Sequence, residues 1–347
     1  MAGAARQNAE FGSVSTATSC WACLLSPTGA DWLMNGSNDN ASSKQDFEGI
    51  IHMITLLVTD RISRGTFVLV GIISSMPRED LLQTFRSGTA HVEIYASNEV
   101  LGSAAAELSA RLIADAIKEH RRARVIAATG NSQISLVEAL VKQPIDWRAV
   151  ELFHMDEYAG MSSSHPASFR RWIKNRLEDK VHPRKTYYLA GDAADLEAEI
   201  KRYSELLLHA PIDLAFVGFG ENGHIAFNDP SVADFNDPAV VKKVTLDEAC
   251  RRQQAGEGHF KDLESVPKQA LTITCSGLFR ANAWACCVPE KRKAEAVRNA
   301  LEGPISEACP ASLVRRHPNA HVFLDPDSAS LLTIHTEHVD SKTRQRA

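Results

Sequence analysis

Ile212-Asp-Leu-Ala-Phe-Val-Gly-Phe-Gly-Glu-Asn-Gly-His-Ile-Ala-Phe-Asn-Asp-Pro230 decides the fold. Leu214 to Phe219 is short and apolar, bounded by Pro211 and Gly220. Such a run predicts a strand buried on both faces, as in a parallel sheet. Gly218, Gly220 and Gly223 then let the chain turn tightly. Glu221, Asn222, His224, Asn228 and Asp229 arrive together just beyond. Ligands of open α/β sheets bind at the carboxyl ends of strands. His224 and Asp229 therefore stand where chemistry would be done, although a glycine pair and one histidine serve a purely structural loop equally well.

Outward from this stretch, strands and helices alternate. Val92–Tyr95, Arg124–Ala128, Val150–Met155, Thr186–Leu189, Val240–Leu246, Ala270–Thr274, Ala283–Val288 and His321–Leu324 read as strands. Glu99–His120, Ile134–Val141, Ala167–Leu177, Asp195–His209 and Lys291–Leu301 read as helices, the last closed by Gly303. Asp247 is placed to cap a further helix. The fold class that follows is α/β, with a mainly parallel, Rossmann-like sheet flanked by helices. A single catalytic domain is expected over residues 76–340. An N-terminal extension over 1–75, rich in Ala, Ser, Asn and Gly at its start, precedes it, and a polar tail 341–347 follows.

Composition narrows the function. The 347 residues are 44% hydrophobic and 23% charged with net charge −5, and no Lys/Arg block points to nucleic acid. The apolar runs Ile50–Val58 and Phe67–Met76 fall short of a membrane span. Seven cysteines, an odd number in a long chain, suit a reducing cytoplasmic setting better than a disulfide framework. Cys20-Trp-Ala-Cys23 has no second pair at zinc spacing, so no metal and no cofactor is expected.

Three further places carry chemistry. Thr129-Gly-Asn-Ser132 lies between a strand and a helix, where free backbone N–H groups cradle an anion. A plain turn capped by Ser132 is the competing explanation. Asp156-Glu157 ends a predicted strand, and two adjacent carboxylates are not buried together without a reason. Lys293 follows Lys291 and Arg292, a pattern that a solvated helix face would also show.

Ala128-Thr-Gly-Asn-Ser132, Phe153-His-Met-Asp-Glu-Tyr158 with His165-Pro166, and Gly218 to Pro230 together resemble the glucosamine-6-phosphate deaminase (isomerase) family. The resemblance covers about Val92 to Leu332. It implies a metal-free conversion of an amino-sugar phosphate, the expected partner, to fructose 6-phosphate and ammonia. His224 matches the ring-opening histidine, and Asp229 the carboxylate that orients it. Asp156 matches the carboxylate that moves a proton from carbon 2 to carbon 1. Thr129, Gly130, Asn131, Ser132 and Lys293 match the phosphate site, with Arg251, or alternatively Arg252, as its arginine. Glu157 and Gly223 fall among the substrate-binding positions.

The chain departs from the family pattern in three places. Asn222 stands where many members have Asp, and can hydrogen-bond but cannot take a proton. Asp229 stands where Glu is usual. Val232-Ala-Asp-Phe-Asn-Asp-Pro238 lacks the basic pattern of an allosteric site, which argues against activation by an acetylated sugar phosphate. A galactosamine-6-phosphate deaminase, a 6-phosphogluconolactonase and a non-catalytic sugar-phosphate sensor are the rivals. Homo-oligomerisation is left open.

Overall fold

The computed structural model describes residues 80–333 apart from His259; the expected extension 1–75 and the tail 341–347 lie outside the described residues. In chain order the described part runs β1 (Leu81–Ser87), β2 (Ala90–Tyr95), α1 (Asn98–His120), β3 (Ala123–Ala127), α2 (Ile134–Leu140), β4 (Val150–His154) and β5 (Asp156–Tyr158). It continues through α3 (Phe169–Ile173), β6 (Lys185–Tyr187), α4 (Leu196–Leu208), β7 (Leu214–Val217), β8 (Val241–Thr245) and α5 (Glu248–Gly256). It closes with β9 (Gln269–Ile273), α6 (Cys275–Phe279), β10 (Trp284–Val288), α7 (Ala294–Glu302) and β11 (Ala320–Leu324).

Eight strands form one sheet in the order β1-β2-β11-β10-β7-β3-β4-β6. All pairs are parallel except the β1–β2 hairpin at one edge. Every residue of β3, β7 and β10 is buried. That accounts for sequences that are apolar except for Arg124 of β3: helices cover both faces of a central parallel strand. Local chemistry sets the helix ends. Ser97 caps α1, Asp195 caps α4, and Asp247 caps α5 by accepting from the Cys250 amide, as expected.

Sheet order places the site. From β3 the chain steps outward through β4 to β6; from β7 it steps the other way through β10 to β11. The neighbours β3 and β7 therefore form the switch point, where loops diverge and leave a crevice. The loops after β10, β7, β3 and β4, four adjacent strands, open into it.

Four features differ from the sequence expectation. Strand β1 was not foreseen, because it is an edge strand with a mostly exposed surface and little apolar signal. The strand run was expected to belong mainly to one parallel sheet. Instead β5, β9 and β8 form a separate antiparallel sheet. The third helix is short: α3 passes at Lys174 into a π-helical turn ending at Glu178. Gly303 does close α7, but with φ −75 rather than the left-handed cap geometry. Its lack of a side chain is steric, since a Cβ there would lie 2.6 Å from the Asn299 carbonyl oxygen.

Candidate active site

The crevice at the switch point is a pocket lined by both acid–base candidates and the anion loop. Thr129, Gly130, Asn131 and Ser132 form one wall, and Asp156, His224 and Lys293 face it. Phe169 and Phe227 supply apolar surface from a small satellite core beneath the second sheet.

The β3 loop passes from Gly130, at φ +93, into the 3₁₀ turn Asn131–Gln133 that opens α2. Gly218 lets this loop come close: a Cβ there would lie 3.2 Å from Ser132 Oγ. Buried Gln133 ties the loop down by donating to Ser132 Oγ at 3.0 Å and to the Cys287 carbonyl at 3.3 Å.

The β7 loop presents His224. A Cβ on Gly220 would lie 2.2 Å from the nearest His224 ring atom, so only glycine lets the ring lie back on the loop. His224 Nδ1 lies 2.7 Å from Asn222 Oδ1 and 3.1 Å from Asp229 Oδ1. Two acceptors at one nitrogen fix the proton on Nδ1 and leave Nε2 with its lone pair. Buried Asp229 also receives Asn222 Nδ2 at 3.1 Å and the Asp247 amide at 3.1 Å. Burial opposes its charge, but the His224, Asn222 and backbone partners prevail and hold the carboxyl below its usual range.

Asn222 and Asp229, both expected at the catalytic centre, stand behind His224 rather than on the pocket wall. The amide of Asn222 bridges two carboxylates, donating to Asp229 and, at 3.1 Å, to Asp247 Oδ2. An aspartate at 222 would face both as a third like charge. The departure at Asn222 thus matches Asp247, the cap of α5.

Asp156 begins β5, after the chain leaves the main sheet at Met155. It is 6% exposed, and burial together with neighbouring Glu157 pushes its carboxyl up to about 8. Such a value suits a group that exchanges protons near neutrality. Glu157, expected at the substrate, is directed elsewhere. Its oxygens accept from Ser168 Oγ at 2.6 Å and from the Tyr158, Phe169 and Arg170 amides. Arg170 Nε adds a contact at 3.4 Å. Glu157 thus fastens the N-terminus of α3 to β5, and that is why two adjacent acids are buried together.

Lys293 is 3% exposed, and burial, reinforced by Arg292, lowers its ammonium to about 8. It lines the pocket and is not a solvated helix face. Arg251 is also buried, but its guanidinium donates to the Leu263 and Val266 carbonyls. Arg252 pairs with Glu248 on the exposed face of α5. Neither lines the pocket, nor does Gly223; the pocket arginine is Arg292. Gln253, Gln254 and Glu257 of the α5 region also line it and went unrecognised in the sequence. Their i, i+1, i+4 spacing places Gln253 and Glu257 on one helix face, but only a known neighbour for that face would have marked them. Ala226, likewise unrecognised, lines the pocket at φ +51, a conformation that few non-glycine residues adopt.

His224, Asp229 and Cys250 bring possible metal-ligating atoms within 4.8 Å of one another. His224 bonds to Asp229, and burial with the neighbouring Asp229 and Asp247 carboxylates pushes the Cys250 thiol well up, which keeps it in the protonated form that does not ligate a metal.

A family model described as glucosamine-6-phosphate isomerases/6-phosphogluconolactonase matches residues 96–323. A glucosamine-6-phosphate deaminase of Exiguobacterium sibiricum is 36% identical over 229 residues, 66% of this chain and 89% of that protein. One from Bacillus thuringiensis is 35% identical over 226 residues, 65% of this chain and 84% of that protein. A monomeric glucosamine-6-phosphate deaminase of solved structure superposes with a TM-score of 0.63 at 33% identity, covering 69% of this chain and 99% of that one. A 6-phosphogluconolactonase from Shewanella baltica, at 19% identity and TM-score 0.57 over 67% of this chain and 97% of that one, shares the fold.

Proposed function

Because this chain belongs to the enzyme family of glucosamine-6-phosphate isomerases and 6-phosphogluconolactonases, we propose that it is a glucosamine-6-phosphate deaminase, yielding fructose 6-phosphate and ammonia. One observation carries the proposal: Asp156 and His224 share a pocket with an anion loop and a buried lysine.

The substrate phosphate binds the Thr129–Ser132 backbone and Lys293. The sugar ring then extends toward His224 and Asp156. His224 Nε2 takes the proton of the anomeric hydroxyl and returns it to the ring oxygen, opening the pyranose. Asp229 and Asn222 hold the imidazole in the tautomer this requires. Ionised Asp156 removes the proton from carbon 2 while the carbonyl oxygen on carbon 1 takes a proton from the substrate ammonium, giving an enolamine, and Asp156 then delivers its proton to carbon 1. The iminium left at carbon 2 adds water and expels ammonia. Phe169 and Phe227 limit solvent around the proton transfers.

Lactone hydrolysis needs no proton transfer between adjacent carbons and would leave Asp156 without a role. A galacto substrate would use the same groups. Coupled assays of ammonia and fructose 6-phosphate, with glucosamine 6-phosphate and galactosamine 6-phosphate in parallel, test the proposal. Release of both products from the gluco substrate supports it; no ammonia from a folded protein refutes it.

A further inference from the structure

Arg292, which lines the pocket, pairs with Glu221, and the chemistry proposed above uses neither. Arg292 lies in the turn Lys291–Lys293 after β10 and lines the pocket beside Lys293. Glu221 lies in the β7 loop, three residues before His224. One guanidinium nitrogen of Arg292 is 3.1 Å from Glu221 Oε1, and its Nε is 2.6 Å from Glu290 Oε2. Glu290 is held at φ +82, a strained conformation for a non-glycine residue. Its amide is tied to the Asp325 carboxylate at 3.0 Å. Glu257 adds another carboxylate close to Gly130 of the anion loop.

Three carboxylates, Glu221, Glu257 and Glu290, thus stand around two cations, Arg292 and Lys293. A phosphate entering here must compete with the protein's own acids. The geometry points to Arg292 as the second cation that binds the substrate phosphate, and to Glu221 as an internal stand-in for that phosphate, displaced when substrate arrives. This rests on reading the pocket as a sugar-phosphate site.

Physical considerations favour the exchange. The Glu221 and Arg292 side chains are 40% and 31% exposed, so their ion pair is screened and weak. A phosphate dianion can take the arginine fork through two parallel hydrogen bonds, a stronger arrangement. The Glu221 amide donates to Gln253 Oε1 at 2.9 Å. The backbone is therefore pinned, and exchange needs only side-chain rotation, leaving the His224 loop in place. Arg251 cannot compete for the role, because its fork is occupied by the carbonyls of Leu263 and Val266.

Calorimetric titration of inorganic phosphate into the full chain, Glu221→Gln and Arg292→Ala tests the inference, with KM for glucosamine 6-phosphate measured alongside. Glu221→Gln should tighten phosphate binding about threefold, the scale of an exposed ion pair. Arg292→Ala should weaken it by about tenfold or more, the scale of a charged hydrogen bond. KM should move in the same directions. Unchanged phosphate affinity in both variants, or weaker binding in Glu221→Gln, would overturn the inference. Phosphate affinity is read without turnover. Ammonia release with unshifted affinities would therefore remove this inference alone, and shifted affinities without ammonia would remove only the deaminase assignment.

Discussion

The imidazole Nδ1 of His224 lies 3.1 Å from Oδ1 of Asp229, a carboxylate with no exposed surface. In the proposed mechanism His224 offers Nε2 as a base while Asp229 stabilises the imidazolium that forms. Asp229→Asn keeps the size and removes the charge. Turnover should fall by about ten-thousandfold, as for an oriented catalytic histidine that loses its carboxylate. Steady-state kinetics with an unchanged circular dichroism spectrum would check this.

Asn222→Asp restores the residue that many family members carry, yet it should harm this protein. The new carboxylate would join Asp229 and Asp247, with which the Asn222 amide now bonds. Like charges at hydrogen-bond distance force one of them to hold a proton. The expected result is a kcat/KM lower by about tenfold and a melting temperature lower by about 2–4 °C. Thermal denaturation and kinetics at pH 7 would show both.

Asp156 ties activity and stability to pH in opposite directions. Its folded carboxyl titrates near 8, against 3.8 for an unperturbed aspartate. Between those values the folded protein holds a proton that the unfolded chain has released. The stability from that difference is fully present below 3.8 and is lost as pH rises through 8. Asp156→Asn should abolish turnover at every pH while leaving substrate binding nearly intact. It should also melt about 2–4 °C above the parent at pH 9, with no advantage at pH 4. Equal pH slopes of melting temperature in the two proteins would contradict the assignment.

Lys293 should supply the alkaline limb of the activity profile. Its ammonium is lowered to about 8, so the free enzyme loses phosphate attraction as pH rises through that value. Asp156 must be ionised and Lys293 protonated, so kcat/KM should trace a narrow bell centred near pH 8. Lys293→Arg keeps its charge at all accessible pH and should flatten the descending limb. Lys293→Ala should raise KM by about tenfold or more with a smaller effect on kcat.

Glu157 fastens the start of α3 to β5 and does not line the pocket. Removing a buried carboxylate that holds Ser168 and the Arg170 guanidinium should cost about 3 kcal/mol. Chemical denaturation of Glu157→Ala would measure it. KM for the residual folded enzyme should change less than in Lys293→Ala.

Particular residues show what the sequence makes legible. The strands β7 and β10 are apolar throughout, and β3 is apolar apart from Arg124, because they are buried on both faces, so their existence and parallel character could be read directly. The loop after β7 could be read because glycine, histidine and acid crowd one strand end. Assigning Asp156 needed the family resemblance, since burial alone does not name a role. Glu157 was misplaced because adjacent residues of a strand point to opposite sides, and sequence does not say which side holds the pocket. Arg251 was misplaced for a related reason: one turn of α5 separates a pocket-facing side chain from one that bonds the Leu263 and Val266 carbonyls. Arg292 lay hidden in a run of three cations, where only the turn before α7 decides which face the pocket. The second sheet was missed because strand character in β8 and β9 does not reveal pairing partners: only the fold brings β5 beside β9 and β9 beside β8.

The most direct test of the central claim is ammonia release from glucosamine 6-phosphate by the unmodified protein, with fructose 6-phosphate followed in the same tube. One equivalent of each product per substrate consumed is the predicted result. Hydrolysis of 6-phosphogluconolactone with no ammonia from either amino-sugar phosphate would contradict it.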